Sequence, residues 1–297
     1  MLFNINNVLA LIIYFGYNSL RVMTELRRYI VEYLVCIKQV PQVSRMKIDE
    51  NNNLIREGVK TIVNPADLNA LTEAIKLREK TGGRITVLTM GPPSADEALK
   101  ECIAMGADRG FIVSSRDFKG SDTLATSYTL TMAAKKIGNF DIIFTGTQTI
   151  DGDTGQVGPE LAENLNLNQI GYVDKVDFED NKIIARRESK YGKQIVEAKL
   201  PILISILRDA NEVIKVSDEN IEKAEAMSFE ILSPEDINAD SEKIGIKGSP
   251  TVVAEVFPPE EKKTGVMISG DNTEDKVNKL VEILKEKTTL GWWENGL

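Results

Sequence analysis

Histidine is absent from this chain of 297 residues. That removes the Ser-His-Asp triad, the Cys-His dyad, imidazole metal ligands and a histidine general base together. Cysteine is nearly absent as well: Cys36 and Cys102 stand far apart in no CxxC arrangement, which excludes a cysteine-ligated cluster or zinc knuckle and argues against a disulfide framework. Cys36, inside Leu34-Val35-Cys36-Ile37, reads as a small core residue. Positive charge is in deficit, with 36 Lys and Arg against 45 Asp and Glu and a net charge of −9. No basic stripe is there to displace phosphate counterions, so nucleic acid is not an expected partner. Chemistry in such a chain would be carried by a bound cofactor.

Long apolar runs are missing too. Residues 8–15 form an apolar run of eight, against the roughly 20 that a spanning helix needs. No Lys or Arg precedes this run and Arg21, Arg27 and Arg28 follow it, the reverse of a secretory signal. Residues 1–30 are therefore expected to be an extension outside an ordered domain that begins near Val31, itself a candidate start codon, with an interfacial helix the alternative. The expected location is the cytoplasm, with no membrane span.

What is present is an ordinary globular composition, 42% hydrophobic and 27% charged, enough for a sizeable core. From residue 33 onward β-rich runs at 33–38, 84–89, 110–113 and 141–145 alternate with amphipathic segments at 67–80, 94–105 and 121–137. This alternation predicts an α/β fold, a Rossmann-like, mostly parallel sheet with right-handed crossovers and helices on both faces. After residue 162 the pattern changes. Runs at 172–178, 182–189 and 194–200 read as an antiparallel excursion turning at Glu179-Asp180-Asn181, and 201–207 reads as a further buried strand of the main sheet. The expected organisation is a nucleotide-binding α/β domain over 31–210 and a partner-recognition segment with a C-terminal arm over 211–297. A last helix at 273–287 aligns Val277, Leu280, Val281 and Leu284 on one face. Such an arm has little of its own domain to bury that face against, so a partner chain is expected to cover it.

In an open parallel sheet, ligands bind beyond the carboxyl ends of the strands. Three predicted strand ends lead into Lys38-Gln39-Val40-Pro41, Met90-Gly91-Pro92-Pro93 and the long loop after Thr145. Residues 145–159 hold four glycines and four threonines and open a helix near Val157. Glycines admit a close ligand, and free N–H groups with Thr hydroxyls at a helix start suit phosphate oxygens. The loop is neither a Walker A sequence nor GxGxxG, and a long Gly/Thr surface turn accounts for the same residues. A calcium loop built on Asp151 and Asp153 lacks the following bidentate Glu. In Asn64-Pro65-Ala66-Asp67, Asp67 reads as a helix cap, which leaves the Asn64 amide free for a ligand. Ser121-Asp122-Thr123 reads first as a helix N-cap.

Taken together, these residues resemble the β subunit of electron-transfer flavoproteins over positions 33–287. The resemblance rests on Leu34 to Pro41, Val63 to Ala70, Ala104-Met105-Gly106-Ala107-Asp108-Arg109, Lys199-Leu200-Pro201 and, most specifically, Asp151-Gly152-Asp153-Thr154-Gly155-Gln156-Val157-Gly158-Pro159. It implies a heterodimer with an α subunit that holds one FAD, and a β chain that binds AMP in simple carriers or a second FAD, reduced by NADH, in flavin-bifurcating members. It further implies nucleotide contacts from the backbone of Cys36 and Met90, from the Asn64 side chain, and from a phosphate loop of Asp151, Gly152, Asp153, Thr154, Gly155, Gln156 and Val157, with Thr154 foremost. Gly91, Asp122, Thr123, Thr126, Gly146 and Gln148 complete the implied set; no catalytic side chain and no metal ligand is implied.

Two features lean toward the bifurcating type. Gly152 stands where simple carriers tend to have an acidic residue, and Gly120-Ser121-Asp122-Thr123-Leu124-Ala125-Thr126 resembles the bifurcating form. Implied partners are then a flavin dehydrogenase of acyl-CoA or 2-hydroxyacid type, and ferredoxin. The alternatives are a carrier subunit with structural AMP and a stand-alone adenine-nucleotide sensor. The chain departs from the family at Asn211-Glu212-Val213-Ile214 and in the acidic stretch from Val216 to Ala226, which puts the familiar dehydrogenase partners in doubt.

Overall fold

The structure, a computed structural model, describes residues 31–42, 47–48, 54–55, 60–254 and 265–287. The reading of residues 1–30 as an extension lies outside the described residues. In chain order the strands are β1 (Glu32–Ile37), β2 (Gln39–Pro41), β3 (Lys47–Ile48), β4 (Leu54–Ile55), β5 (Thr61–Val63), β6 (Arg84–Met90), β7 (Arg109–Val113), β8 (Ile142–Gly146), β9 (Asn168–Glu179), β10 (Lys182–Ser189), β11 (Gly192–Lys199), β12 (Ile202–Ile206) and β13 (Glu230–Leu232). The α-helices are α1 (Pro65–Thr81), α2 (Asp96–Met105), α3 (Thr123–Ile137), α4 (Val157–Leu165), α5 (Asp218–Glu225) and α6 (Thr273–Lys287).

Nine strands form one sheet in the order β11-β10-β9-β12-β8-β1-β6-β7-β13. Pairing is parallel from β9 through β13 and antiparallel between β9, β10 and β11. The α/β class, the parallel sheet and the antiparallel excursion expected from the sequence are all present. Strand alternation divides the core. Tyr33, Val35 and Ile37 of β1 face a cluster with Leu71, Ala74 and Ile75 of α1 and Leu99 and Cys102 of α2, while Leu34 and Cys36 face Leu130 and Ala133 of α3 and Leu161 of α4. Helices therefore cover both faces, which is why β1, β8 and β12 are buried along nearly their whole length and mostly apolar.

From β1 the chain crosses to β6 and then β7 on one side, then returns to β8 on the other side of β1. The strand order thus reverses between β1 and β8, and this is the switch point at which sheets of this kind bind their ligands. Sequence boundaries moved only locally. α1 starts two residues earlier than expected because Pro65 occupies its first turn, so Asp67 lies inside that turn and does not cap it. The 94–105 segment is split into a 3-10 turn, Pro93–Ala95, and α2. The turn between β9 and β10 puts Asp180 and Asn181 at positive φ, as a two-residue hairpin loop requires. Among the described residues no helix is long and apolar enough to cross a membrane.

Candidate functional site

The switch point is organised by two side chains at the start of α1, Asn64 just before the helix and Asp67 in its first turn. Asp67, nearly buried, accepts the Lys38 N–H from the end of β1 at 2.8 Å and the Gly146 N–H from the end of β8 at 3.0 Å. Burial pushes its carboxyl up to about 7, against the opposing pull of these N–H groups, Asn64 and the Lys38 charge. A Cβ at Gly146 would fall on the Asp67 carboxylate and 2.8 Å from the Ala66 Cβ, so this strand must end in glycine.

Asn64 is fully buried. Its amide donates to the Gln148 carbonyl at 3.0 Å, and its Oδ1 accepts the Ile150 N–H at 3.2 Å. The group read from the sequence as available to a ligand is therefore engaged by the loop that follows β8. A third strap is ionic: Lys38 Nζ lies 2.7 and 2.9 Å from the two carboxylate oxygens of Asp151. Burial works to raise the Asp151 carboxyl, but hydrogen bonds from Lys38 and Thr149 and the Lys38 charge hold it below the usual range.

The loop then folds on itself. Asp153 takes a positive φ of 55°, donates its N–H to the Thr149 carbonyl at 2.8 Å and receives the side-chain amide of Gln148. Gly155 also has positive φ, at 66°, which its missing Cβ makes easy. Gly152 faces open space, since an added Cβ would meet only Thr149 Oγ1 at 3.4 Å. Gln156 precedes α4 without a side-chain cap, so the N–H groups at the start of that helix are left for an external acceptor. At the start of the same loop the Thr147 hydroxyl is buried with no hydrogen-bond partner among the described residues. An uncapped helix start, an orphaned hydroxyl and an open glycine fit the phosphates of a nucleotide.

The remaining implied residues are distributed around this loop. Cys36 is buried in β1, with its thiol pushed up to about 12 by burial and by Asp67, so only its backbone is suited to a ligand. Met90 and Gly91 end β6, and Gly91 donates to the Val113 carbonyl at 3.1 Å. Thr123 donates from Oγ1 to Gln156 at 3.0 Å and Glu160 at 3.2 Å, joining α3 to α4, and Thr126 lies half-buried one turn further on. Asp122 caps α3 through the Ala125 N–H at 3.1 Å, as its sequence position suggests. Its carboxylate is also taken by Thr251, whose N–H and Oγ1 donate to it at 3.1 and 2.8 Å. The sequence reading missed Lys38, Asp67 and Thr147. Only the pairing of β1 with β8 brings them to one place, and Asp67 carried a signal that capping explained equally well.

A groove of about 640 Å³ lies elsewhere, between Leu124, Tyr128 and Met132 of α3 and the segment from Glu242 to Pro250. Its rim adjoins Asp122, whose N–H donates to Ser249 Oγ at 2.8 Å, so it borders the α3 end of the site and not the β1 and β8 strand ends.

The fold is a doubly wound α/β sheet, with a Gly- and Thr-rich loop at the switch point. Residues 52–237 match the family of electron transfer flavoprotein domains. The chain is 43% identical over 259 residues to the electron transfer flavoprotein subunit beta of Thermoanaerobacterium thermosaccharolyticum, covering 86% of this chain and 99% of that protein. It is 41% identical over 256 residues to the caffeyl-CoA reductase-Etf complex subunit CarD of Acetobacterium woodii, covering 86% and 98%. Protein FixA of Azorhizobium caulinodans is 43% identical over 269 residues, covering 86% and 95%. The chain belongs to the β subunits of the electron-transfer flavoprotein family.

Proposed function

We propose that this β subunit pairs with an electron-transfer flavoprotein α subunit, binds FAD at the strand ends and receives hydride from NADH for bifurcation between a dehydrogenase and ferredoxin. The observation that carries this reading is the loop after β8, one stretch of chain that holds the uncapped start of α4, the orphaned Thr147 hydroxyl and the open space at Gly152. The first two suit a phosphate; the third leaves room for a diphosphate to continue.

FAD held there would supply two-electron acceptance and one-electron release, which no side chain of this chain offers. The chain's own residues bind and orient. The N–H groups of Val157 and Gly158 and the Thr154 hydroxyl would take the phosphates, with the adenine end toward the backbone of Cys36 and Met90. Asn64 and Lys38 hold the loop in place from beneath. No proton need be held or moved by a side chain, which suits a chain without histidine.

The relative named as a caffeyl-CoA reductase-Etf complex subunit supports a flavin dehydrogenase acting on an acyl-CoA as partner. The acidic surface of α5, with Asp218, Glu219 and Glu222 exposed, favours a basic docking rim on that enzyme. The α subunit would cover the apolar face of α6, where Val277 and Leu280 are 51% and 42% exposed.

The test is a nucleotide count. Denaturing the purified heterodimer should release two FAD per complex and no AMP. One FAD with one AMP would replace this reading by a simple carrier, and no nucleotide attributable to the β chain would remove both.

A further inference from the structure

We propose that Asp67 is the positioning residue of the nucleotide site: its single carboxylate pins the ends of β1 and β8 together and so sets the lip from which the 147–156 loop departs. The proposal rests on the reading that this loop binds a nucleotide. Its own support is geometric. The two N–H groups that Asp67 accepts, from Lys38 and Gly146, belong to the two strands between which the sheet order reverses. They also belong to the residues that begin the two other elements of the site, the Lys38 strap to Asp151 and the loop itself.

The sequence is built around this contact. Gly146 can have no Cβ because Asp67 and Ala66 occupy the space. Pro65 at the helix start and Asn64 before it fix α1 so that Asp67 and Asn64 emerge from the same turn, one reaching the strand ends and the other the loop. A buried carboxylate that needs two N–H donors is costly for stability alone, since an apolar side chain would fill the place without desolvating a charge. The alignment of the two strand ends accounts for a carboxylate at this place.

An ionised carboxylate accepts both N–H groups fully; a protonated one must give its hydroxyl another acceptor and weakens one of the two bonds. The titratable and charged groups facing Asp67 are Lys38 and the Cys36 thiol from β1, the Cys102 thiol from α2 and, one ion pair further, Asp151 from the loop; β8 presents its backbone. The two thiols are raised by burial and stay neutral through neutral pH, and Asp151 stays ionised. Asp153 and Asp122 are further carboxyls at or beside the loop; Glu160, raised by burial at α4, is controlled with Glu160→Gln.

The experiment titrates nucleotide-free full-length protein, in complex with its partner chain, with FAD and separately with AMP from well below to well above pH 7. Wild-type affinity for FAD should fall as the pH drops through about 7, the Asp67 value, and Glu160→Gln should keep that profile. Asp67→Asn, which turns one acceptor into a donor facing an N–H, should bind about tenfold more weakly and lose the pH dependence. A purely structural Asp67 would shift the melting temperature and leave the pH profile in place. Equal or tighter binding by Asp67→Asn, or a wild-type profile flat across pH 7, overturns the proposal. Should Asp67→Asn fail to fold, the wild-type profile and Gly146→Ala decide. Gly146→Ala keeps the charge and displaces the carboxylate, and unchanged binding there overturns the proposal too. Wild type that binds neither FAD nor AMP overturns the nucleotide reading itself, whereas a normal wild type with an indifferent Asp67→Asn overturns the role of Asp67 alone.

Discussion

The amide of Asn64 is shared between the two sides of a single turn: it donates to the Gln148 carbonyl at 3.0 Å and its oxygen accepts the Ile150 N–H at 3.2 Å. Asn64 thereby acts as a template for the backbone from 148 to 150, a segment that has little regular structure of its own.

Asn64→Ala should therefore loosen the loop as well as the nucleotide. It leaves a buried N–H and a carbonyl unpaired, at a cost of about 1–3 kcal/mol. The expected outcome is a lower melting temperature together with loss of bound nucleotide on gel filtration. Full occupancy with an unchanged melt would show that the loop holds its shape unaided.

Gly152→Asp tests the kind of nucleotide. The added side chain enters space now bounded only by Thr149 Oγ1 at 3.4 Å and brings a negative charge toward the bound phosphates. A like charge near a partly buried anion costs up to a few kcal/mol at an effective dielectric of about 20, and about 1.4 kcal/mol is a tenfold loss of affinity. FAD binding should fall strongly and AMP binding less, because AMP extends less far past the loop. Equal losses for the two ligands, measured by titration of each, would contradict the path assigned to the diphosphate.

Asp67 gives the protein a pH-dependent stability of definite sign. Its carboxyl is raised from the ordinary 3.8 to about 7 in the folded chain, so folding favours the protonated form. The stabilisation is complete below about pH 4 and is lost as the pH rises through about 7, with a slope of at most about 1.4 kcal/mol per pH unit. In nucleotide-free protein, Asp67→Asn should remove this component, seen as a flatter difference in melting temperature between pH 5 and pH 8 on the scale of that linkage. An unchanged slope would mean that Asp67 titrates outside this window.

The outer face of α6 offers the last test. Val277, Leu280 and Val281 are 51%, 42% and 42% exposed, the spacing of one helical stripe. Val277→Glu combined with Val281→Glu should leave the α/β body's melting transition in place while weakening association with the α subunit by tenfold or more, as for charges set into an apolar interface. Undiminished co-purification would place the α subunit's contact elsewhere.

Much of this architecture was legible in the sequence. The apolar runs of β1, β6, β8 and β12 and the helical periods between them are properties of local composition, because a strand buried on both faces is apolar at most of its positions. Asp122 could be read as a cap from its place before α3, and the hairpin from Asp180 and Asn181, since each of these depends on residues only a few positions apart. β13 and α5 were not legible: β13 is three residues long with two of them exposed, and α5 is dominated by charge. Lys38, Asp67, Asn64 and Gly146 acquire their roles only from tertiary structure. Asp67 and Gly146 are 79 positions apart and Lys38 and Asp151 are 113 apart, and no local pattern records which strand will lie beside β1. The sequence by itself determined that the chain makes a doubly wound sheet with a Gly- and Thr-rich loop at one strand end. The crossover that brings β8 back beside β1 decided which carboxylate, amide and amine would hold that loop, because a hydrogen bond is set by distance in space and not by separation along the chain.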